Sequence, residues 1–186
     1  MVVRPTRAGL VALSDTYQSG VVMKATDLLR QQHRTVERLF AKIASGDTDL
    51  IEDLASALAA HMTIEHEIFY PAANEIDPRL ILESFEAHAV AELALKRVMA
   101  TDLGDEAFGP RVAVLRELIW NHVQQEEETL LPAAEEQLSR QWLEELGVEM
   151  EIRFNTVLVA GYAATFPNTY DITAADLAQA QGGHSG

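Results

Sequence analysis

Apolar residues recur three and four positions apart through most of the chain, the spacing that lines one side of an α-helix. Four stripes follow one another. The first holds Leu29, His33, Val36, Phe40 and Ile43, and the second Leu54, Leu58, His61, Glu65, Ile68 and Ala72. The third holds Ile81, Phe85, His88, Glu92, Leu95 and Met99, and the fourth Val112, Leu115, Ile119, His122, Glu126, Leu130 and Ala133.

Punctuation between the stripes sets the element boundaries. Helix A is predicted from Thr26 or Asp27, either able to cap its N-terminus, to Ser45, with Gly46 just beyond the C-cap. Helix B starts near Asp47 or Thr48 and continues past Pro71. Helix C opens on Asp77-Pro78, a capping residue followed by proline at the first helical position, and ends before Gly104. Helix D runs from near Pro110 to about Gln137, and a further helical stretch covers about Ser139 to Val159. Val157-Leu158-Val159 is the one dense β-branched run, and helix absorbs it. The expected class is all-α, an antiparallel up-down-up-down four-helix bundle with an additional C-terminal helix. Residues 1–22 read as an irregular N-terminal arm, 23–138 as the bundle, and 139–186 as a C-terminal helical extension and flexible tail.

An internal repeat underlies the second and fourth stripes. LAAHMTIEHEIFYPAANE (58–75) matches LIWNHVQQEEETLLPAAEE (118–136) when His61 is laid on His122, an offset of 61 residues. Glu65 then falls on Glu126, Glu67 on Glu128, Pro71 on Pro132 and Glu75 on Glu136. A weaker match pairs QHRTVE around His33 with AHAVAE around His88, at an offset of 55. The bundle therefore reads as two helical hairpins related by pseudo-symmetry.

Each helix sets one histidine in its apolar seam. In HxxxE the two residues point the same way, with Cβ atoms about 5–6 Å apart, so both reach one bound ion. A lone seam histidine is usually a hydrogen-bonded core residue. Four of them with buried carboxylates alongside call for a cation, because an unpaired buried carboxylate costs several kcal/mol. The ligand chemistry assigns His33 and His61 to one metal and His88 and His122 to the other, with Glu65 and Glu126 bridging. Glu37, Glu92 and Glu127 are possible additional ligands; Glu127 competes with Glu126 for the bridge. His66 is rotated about 140° from His61 and reads as a surface or helix-contact residue. His184 lies in the tail. The tyrosines read as packing residues, with Tyr162 and Tyr170 able to cover the site.

Composition narrows the chemistry. The absence of cysteine removes disulfides, thiolate nucleophiles, iron–sulfur clusters and cysteine-type zinc sites, leaving nitrogen and oxygen donors that suit iron, manganese or zinc. Lys and Arg total 14 against 29 Asp and Glu, and a net charge of −15 argues against nucleic acid or an anionic membrane face as partner. No apolar run approaches the roughly 18 residues that span a bilayer. The stretch Gly9 to Leu13 is too short for a secretory signal, so a cytoplasmic protein is expected.

HxxxE followed by Glu or His, then Glu, an apolar pair and Pro-Ala resembles the hemerythrin HHE cation-binding domain over about Thr26 to Gln137, nearest to bacterial, actinobacterial-type members. The resemblance implies two iron ions in an oxo- or hydroxo-bridged centre that handles hydrogen peroxide, dioxygen, nitric oxide or iron itself. On it His33 matches the helix A ligand, His61 and Glu65 the helix B pair, and His88 the first helix C ligand. His122 matches the helix D ligand, with Glu126 or Glu127 as its carboxylate. The oxygen carriers of this family place a second histidine where this chain has Glu92, and take the helix D carboxylate from the position of Glu127. These departures point to a catalase- or peroxidase-like oxidoreductase, or to nitric oxide oxidation, in a monomer or homodimer. The alternative is reversible binding of dioxygen or nitric oxide, or sensing of iron or oxygen.

Overall fold

A computed structural model describes residues 22–166, and all regular structure among them is helical. Helix α1 spans Ala25–Ala44. After a 3₁₀ turn at Thr48–Leu50 come α2 (Ile51–Ile64), a π-helical turn (Glu65–Phe69) and α3 (Tyr70–Ala73). Helix α4 spans Pro78–Met99 and α5 Phe108–Gln125. A second π-helical turn (Glu126–Leu130), α6 (Leu131–Gln137), α7 (Arg140–Ala160) and α8 (Tyr162–Thr165) follow. Residues 1–21 of the expected arm and the tail from 167, with Tyr170 and His184, lie outside the described residues.

The caps follow local chemistry. The Asp77 carboxylate accepts the Leu80 N–H at 2.9 Å, and the Ser139 hydroxyl accepts the Trp142 N–H at 3.1 Å. Gly46 has a φ of 115°, a conformation that side chains disfavour and that ends α1. Two starts differ from expectation. Helix α1 begins at Ala25, because the Thr26 hydroxyl donates to Glu135 at 2.6 Å instead of capping. Helix α5 begins at Phe108, with Pro110 inside the first turn, where its missing N–H has no helical partner to lose.

Helices α1, α2, α4 and α5 close a ring of contacts, each packing on the next and α5 returning to α1. Their seams fill two apolar clusters. Val36, Phe40, Leu54, Leu58, Leu95 and Leu115 belong to the first, and Leu29, Ile64, Phe69, Ile81, Leu130 and Met150 to the second. The chain passes from second cluster to first in α1 and α4, and from first to second along α2 and from α5 into the π turn after it. Each seam histidine stands at the crossing between the two.

The π turns displace the seam. Ile68, Ala72 and Ala133 were expected inside, yet Phe69, Ala73 and Ala134 are the buried residues. A π turn accommodates one residue more than an α turn, which carries the seam one position further along. Both insertions begin on the glutamate of an HxxxE segment, and they are related by the same offset as the repeat.

Helix α7 lies against α1 and α2 and buries Leu143, Leu146, Met150, Val157 and Leu158. Gly147 is required at the crossing, since a Cβ there would collide with the Met23 carbonyl oxygen and stand 3.0 Å from the Ala25 nitrogen. Among the described residues no helix is long and apolar enough to cross a membrane.

Candidate metal centre

Six side chains converge between the two apolar clusters: His33 from α1, His61 from α2, His88 from α4, His122 from α5, and Glu65 and Glu126 from the starts of the π turns. All six are buried, the two glutamates completely. Glu65 Oε2 lies 3.2 Å from His61 Nε2 and 3.4 Å from His88 Nε2. Glu126 Oε2 lies 3.4 Å from His33 Nε2 and 3.5 Å from His122 Nε2. The donor atoms group into two sets, each within 4.8 Å: His33, His61, Glu65 and Glu126 in one, Glu65, His88 and His122 in the other. Glu65 belongs to both.

Outer hydrogen bonds aim three of the rings. His33 Nδ1 meets Glu127 Oε1 at 2.9 Å, His61 Nδ1 meets Gln32 Oε1 at 2.9 Å, and His88 Nδ1 meets His66 Nε2 at 2.8 Å. A carboxylate or amide oxygen can only accept, so Nδ1 of His33 and His61 carries the proton and Nε2 turns a lone pair inward, as metal-binding histidines require. Glu127 and His66 are themselves equivalent under the 61-residue offset. Each grips the outer nitrogen of the histidine on the other hairpin.

The donor set fits a cation better than it fits itself. His33 Nε2, His61 Nε2, both Glu65 oxygens and Glu126 Oε2 are buried without a hydrogen-bond partner among the described residues. Nε2 of His88 and Nε2 of His122 face each other at 2.7 Å. Leaving such groups unsatisfied costs about 1–3 kcal/mol each, which a shared positive ion removes. Burial, and then the mutual repulsion of neighbouring rings, pushes the pKa of His61 and His88 down, and burial does the same to His122. Neutral imidazoles are the metal-binding form. Burial and the nearby Glu126 carboxylate push Glu65 up.

Tyr70 was read in the sequence as packing, and its ring does pack in the second apolar cluster. Its hydroxyl, however, enters the centre. It donates to Glu126 Oε1 at 2.9 Å and lies 3.3 Å from His88 Nε2 and 3.4 Å from His122 Nε2. Burial, with both carboxylates adding, raises the Tyr70 pKa and keeps the phenol protonated. A signal was available: the repeat lays Tyr70 on Leu131, a polar group against an apolar one in a fully buried pair. Gln32, laid on Ala87 by the 55-residue offset, breaks the other match in the same way.

Two expected carboxylates stand elsewhere. Glu37 is exposed on α1, and Glu92 pairs with Lys96 at 2.6 Å on α4. In these unbroken helices the seam proceeds through the third residue after the histidine, Val36 and Ala91, which turns the fourth outward. Glu126 stands inside the centre and Glu127 at its edge. Tyr162 packs against the first apolar cluster and Phe166.

Comparison with known proteins agrees with this arrangement. The hemerythrin HHE cation binding domain matches residues 24–134. A crystal structure of a hemerythrin HHE cation binding domain-containing protein from Mycobacterium kansasii superposes with a TM-score of 0.68 at 23% identity, covering 74% of this chain and 89% of that one. A DNA nickase of Nostoc sp. is 28% identical over 138 residues, 69% of this chain, and the match spans 38% of that relative's length. With most of the bundle and all six inward donors inside the matched span, the chain belongs to the hemerythrin HHE cation-binding domain family.

Proposed function

We propose that this chain is a non-haem di-iron protein that decomposes hydrogen peroxide. His33, His61, Glu65 and Glu126 would hold one iron, and His88 and His122 the other, with Glu65 shared and Glu126 reaching toward both. Two irons with an oxo or hydroxo bridge would supply the electron pair that peroxide chemistry exchanges. The nitrogen and carboxylate donors, free of thiolate, favour iron in its higher oxidation state over soft metals.

The observation that carries peroxide over reversible dioxygen binding is the Tyr70 hydroxyl. Cleaving O–O to water requires protons delivered inside a dry centre, whereas binding and releasing intact dioxygen does not. Tyr70 holds a proton at its phenolic oxygen, 2.9 Å from Glu126, walled by apolar residues on both sides. Glu92, bonded to Lys96, no longer enters that choice. DNA nicking is not carried over, since a net charge of −15 gives little attraction for phosphate.

Iron-loaded protein should contain two irons per chain and evolve oxygen from added peroxide. Tyr70→Phe should keep both irons and lose about 10²-fold or more in rate, the usual scale for a positioned proton donor. A reversible oxygenated spectrum without peroxide turnover would replace this reading with a carrier or sensor; consumption of nitric oxide but not peroxide would redirect it to nitric oxide oxidation.

A further inference from the structure

The two ends of the centre are covered differently. On one side His66, the outer partner of His88, packs against Phe85 with ring centroids 4.6 Å apart and the rings tilted. On the other, the His33–Glu127 pair opens onto a cavity of about 300 Å³ between α1 and α5. That is the lower end of the size range of pockets that bind small organic ligands. His33 is therefore both a donor of the buried centre and part of the cavity wall.

The cavity has the chemistry of an aromatic site. Val36, Phe40 and Ile119 line it with apolar surface, and Trp120, 45% exposed, contributes an indole. Arg34 and Arg116 line it against the carboxylates of Glu37, Glu127 and Glu128, a slight negative excess that disfavours an anionic occupant and leaves a neutral one unopposed. Glu127, 31% exposed, is bound through one oxygen to His33 and is positioned to accept a hydrogen bond from a ligand hydroxyl. A flat, neutral molecule bearing a phenolic hydroxyl matches all three features.

We propose that the α1–α5 cavity binds a small aromatic diol of the hydroquinone class, the reducing co-substrate for peroxide. This deepens the di-iron reading and rests on it for the redox step. The diol gives up two electrons and two protons and becomes the quinone; peroxide takes both pairs, its O–O bond breaks, and two waters form. Glu127 and His33 are one hydrogen bond apart and lead from the cavity to the centre.

Binding can be read without turnover. In Trp142→Phe protein, Trp120 is the remaining indole, and hydroquinone titrated into the metal-free or iron-loaded protein should quench its fluorescence saturably. Val36→Trp, which adds bulk on the cavity wall, should abolish hydroquinone binding measured by titration calorimetry and its support of peroxide reduction. Should that variant fail to fold, Glu127→Gln should weaken binding at least 5-fold while leaving the circular dichroism spectrum unchanged. Non-saturable quenching, or binding untouched by either variant, overturns the cavity assignment even where oxygen evolution from peroxide persists. Saturable, variant-sensitive binding without any peroxide consumption upholds the cavity as a diol site and instead removes the peroxide reading.

Discussion

The two halves of the centre share a sequence pattern and differ in what surrounds it. Both hairpins supply a histidine, then a second histidine with glutamate four residues on, then a π turn. Around the first π turn α7 closes down, with Arg153 gripping Glu67 at 2.6 and 2.8 Å. Glu128, the counterpart of Glu67, instead lines the cavity. Duplication thus gives a symmetric set of donors, and the segment after the bundle makes one half closed and leaves the other open. The symmetry suits the donors to hold a cation, and the asymmetry leaves one side of them lined by a cavity.

The largest test removes the donor common to both sets. Glu65→Gln, which keeps shape and loses charge, should drop metal content from two ions per chain toward none, while His33→Ala should lose one and keep the other. Elemental analysis decides it. Two ions retained in Glu65→Gln would mean that neither half needs the shared carboxylate to hold its ion.

Acid should come next. The pKa values of His61, His88 and His122 are lower in the folded chain than the ordinary value of 6.5. The folded state then binds fewer protons than the unfolded one, so this part of stability is complete above pH about 6.5 and drains as pH falls through it. Denaturation midpoints of the metal-free protein should fall between pH 7.5 and 5.5. A His88→Leu variant should show a shallower fall, and an identical slope would mean that the burial of this ring carries no linkage.

How much of this was legible in the chain depends on what sets each feature. Periodicity is local, and it placed the helices and set all six inward donors in the seams, although HxxxE spacing by itself did not say which of the four glutamates so spaced would turn inward. The π turns were not legible. They need the surrounding bundle to repay a poorer hydrogen-bond pattern, and with them went the choice of Phe69 over Ile68. Tyr70 was hidden for a related reason: an aromatic residue in an apolar run reads as packing, and only the partner across the bundle shows what its hydroxyl meets. Glu37 and Glu92 stand outside the cluster of donors because a four-residue spacing leaves a 40° freedom, which an unbroken helix resolves outward.

A smaller effect tests the cover that α7 gives the closed half. Gly147→Ala places a methyl group against the backbone of Met23 and Ala25, and should cost about 1–3 kcal/mol, as overpacked sites do. Hydrogen exchange should rise in α7 and around the first π turn more than around the second. Equal acceleration at both π turns would show that α7 braces the whole bundle rather than one half.

The smallest effect lies at a contact the repeat does not duplicate. Glu135 accepts from Thr26 and Arg30, both at 2.6 Å, and from Lys24 at 3.3 Å, fastening α6 to the start of α1; its counterpart under the offset is Asn74. Burial acts to raise its pKa, but the Arg30 and Thr26 hydrogen bonds outweigh it and hold the carboxyl at about 2. A depressed carboxylate contributes stability that is whole above its unfolded value near 4.5 and is lost as pH falls toward 2. The side chain is 31% exposed, so water and salt screen the pair, and Glu135→Gln should cost less than about 1 kcal/mol at pH 7. That deficit should vanish near pH 2 and shrink in high salt. A deficit that survives both would locate the contribution in the Thr26 hydrogen bond, a neutral contact, and the open half would then be fastened by geometry rather than by charge.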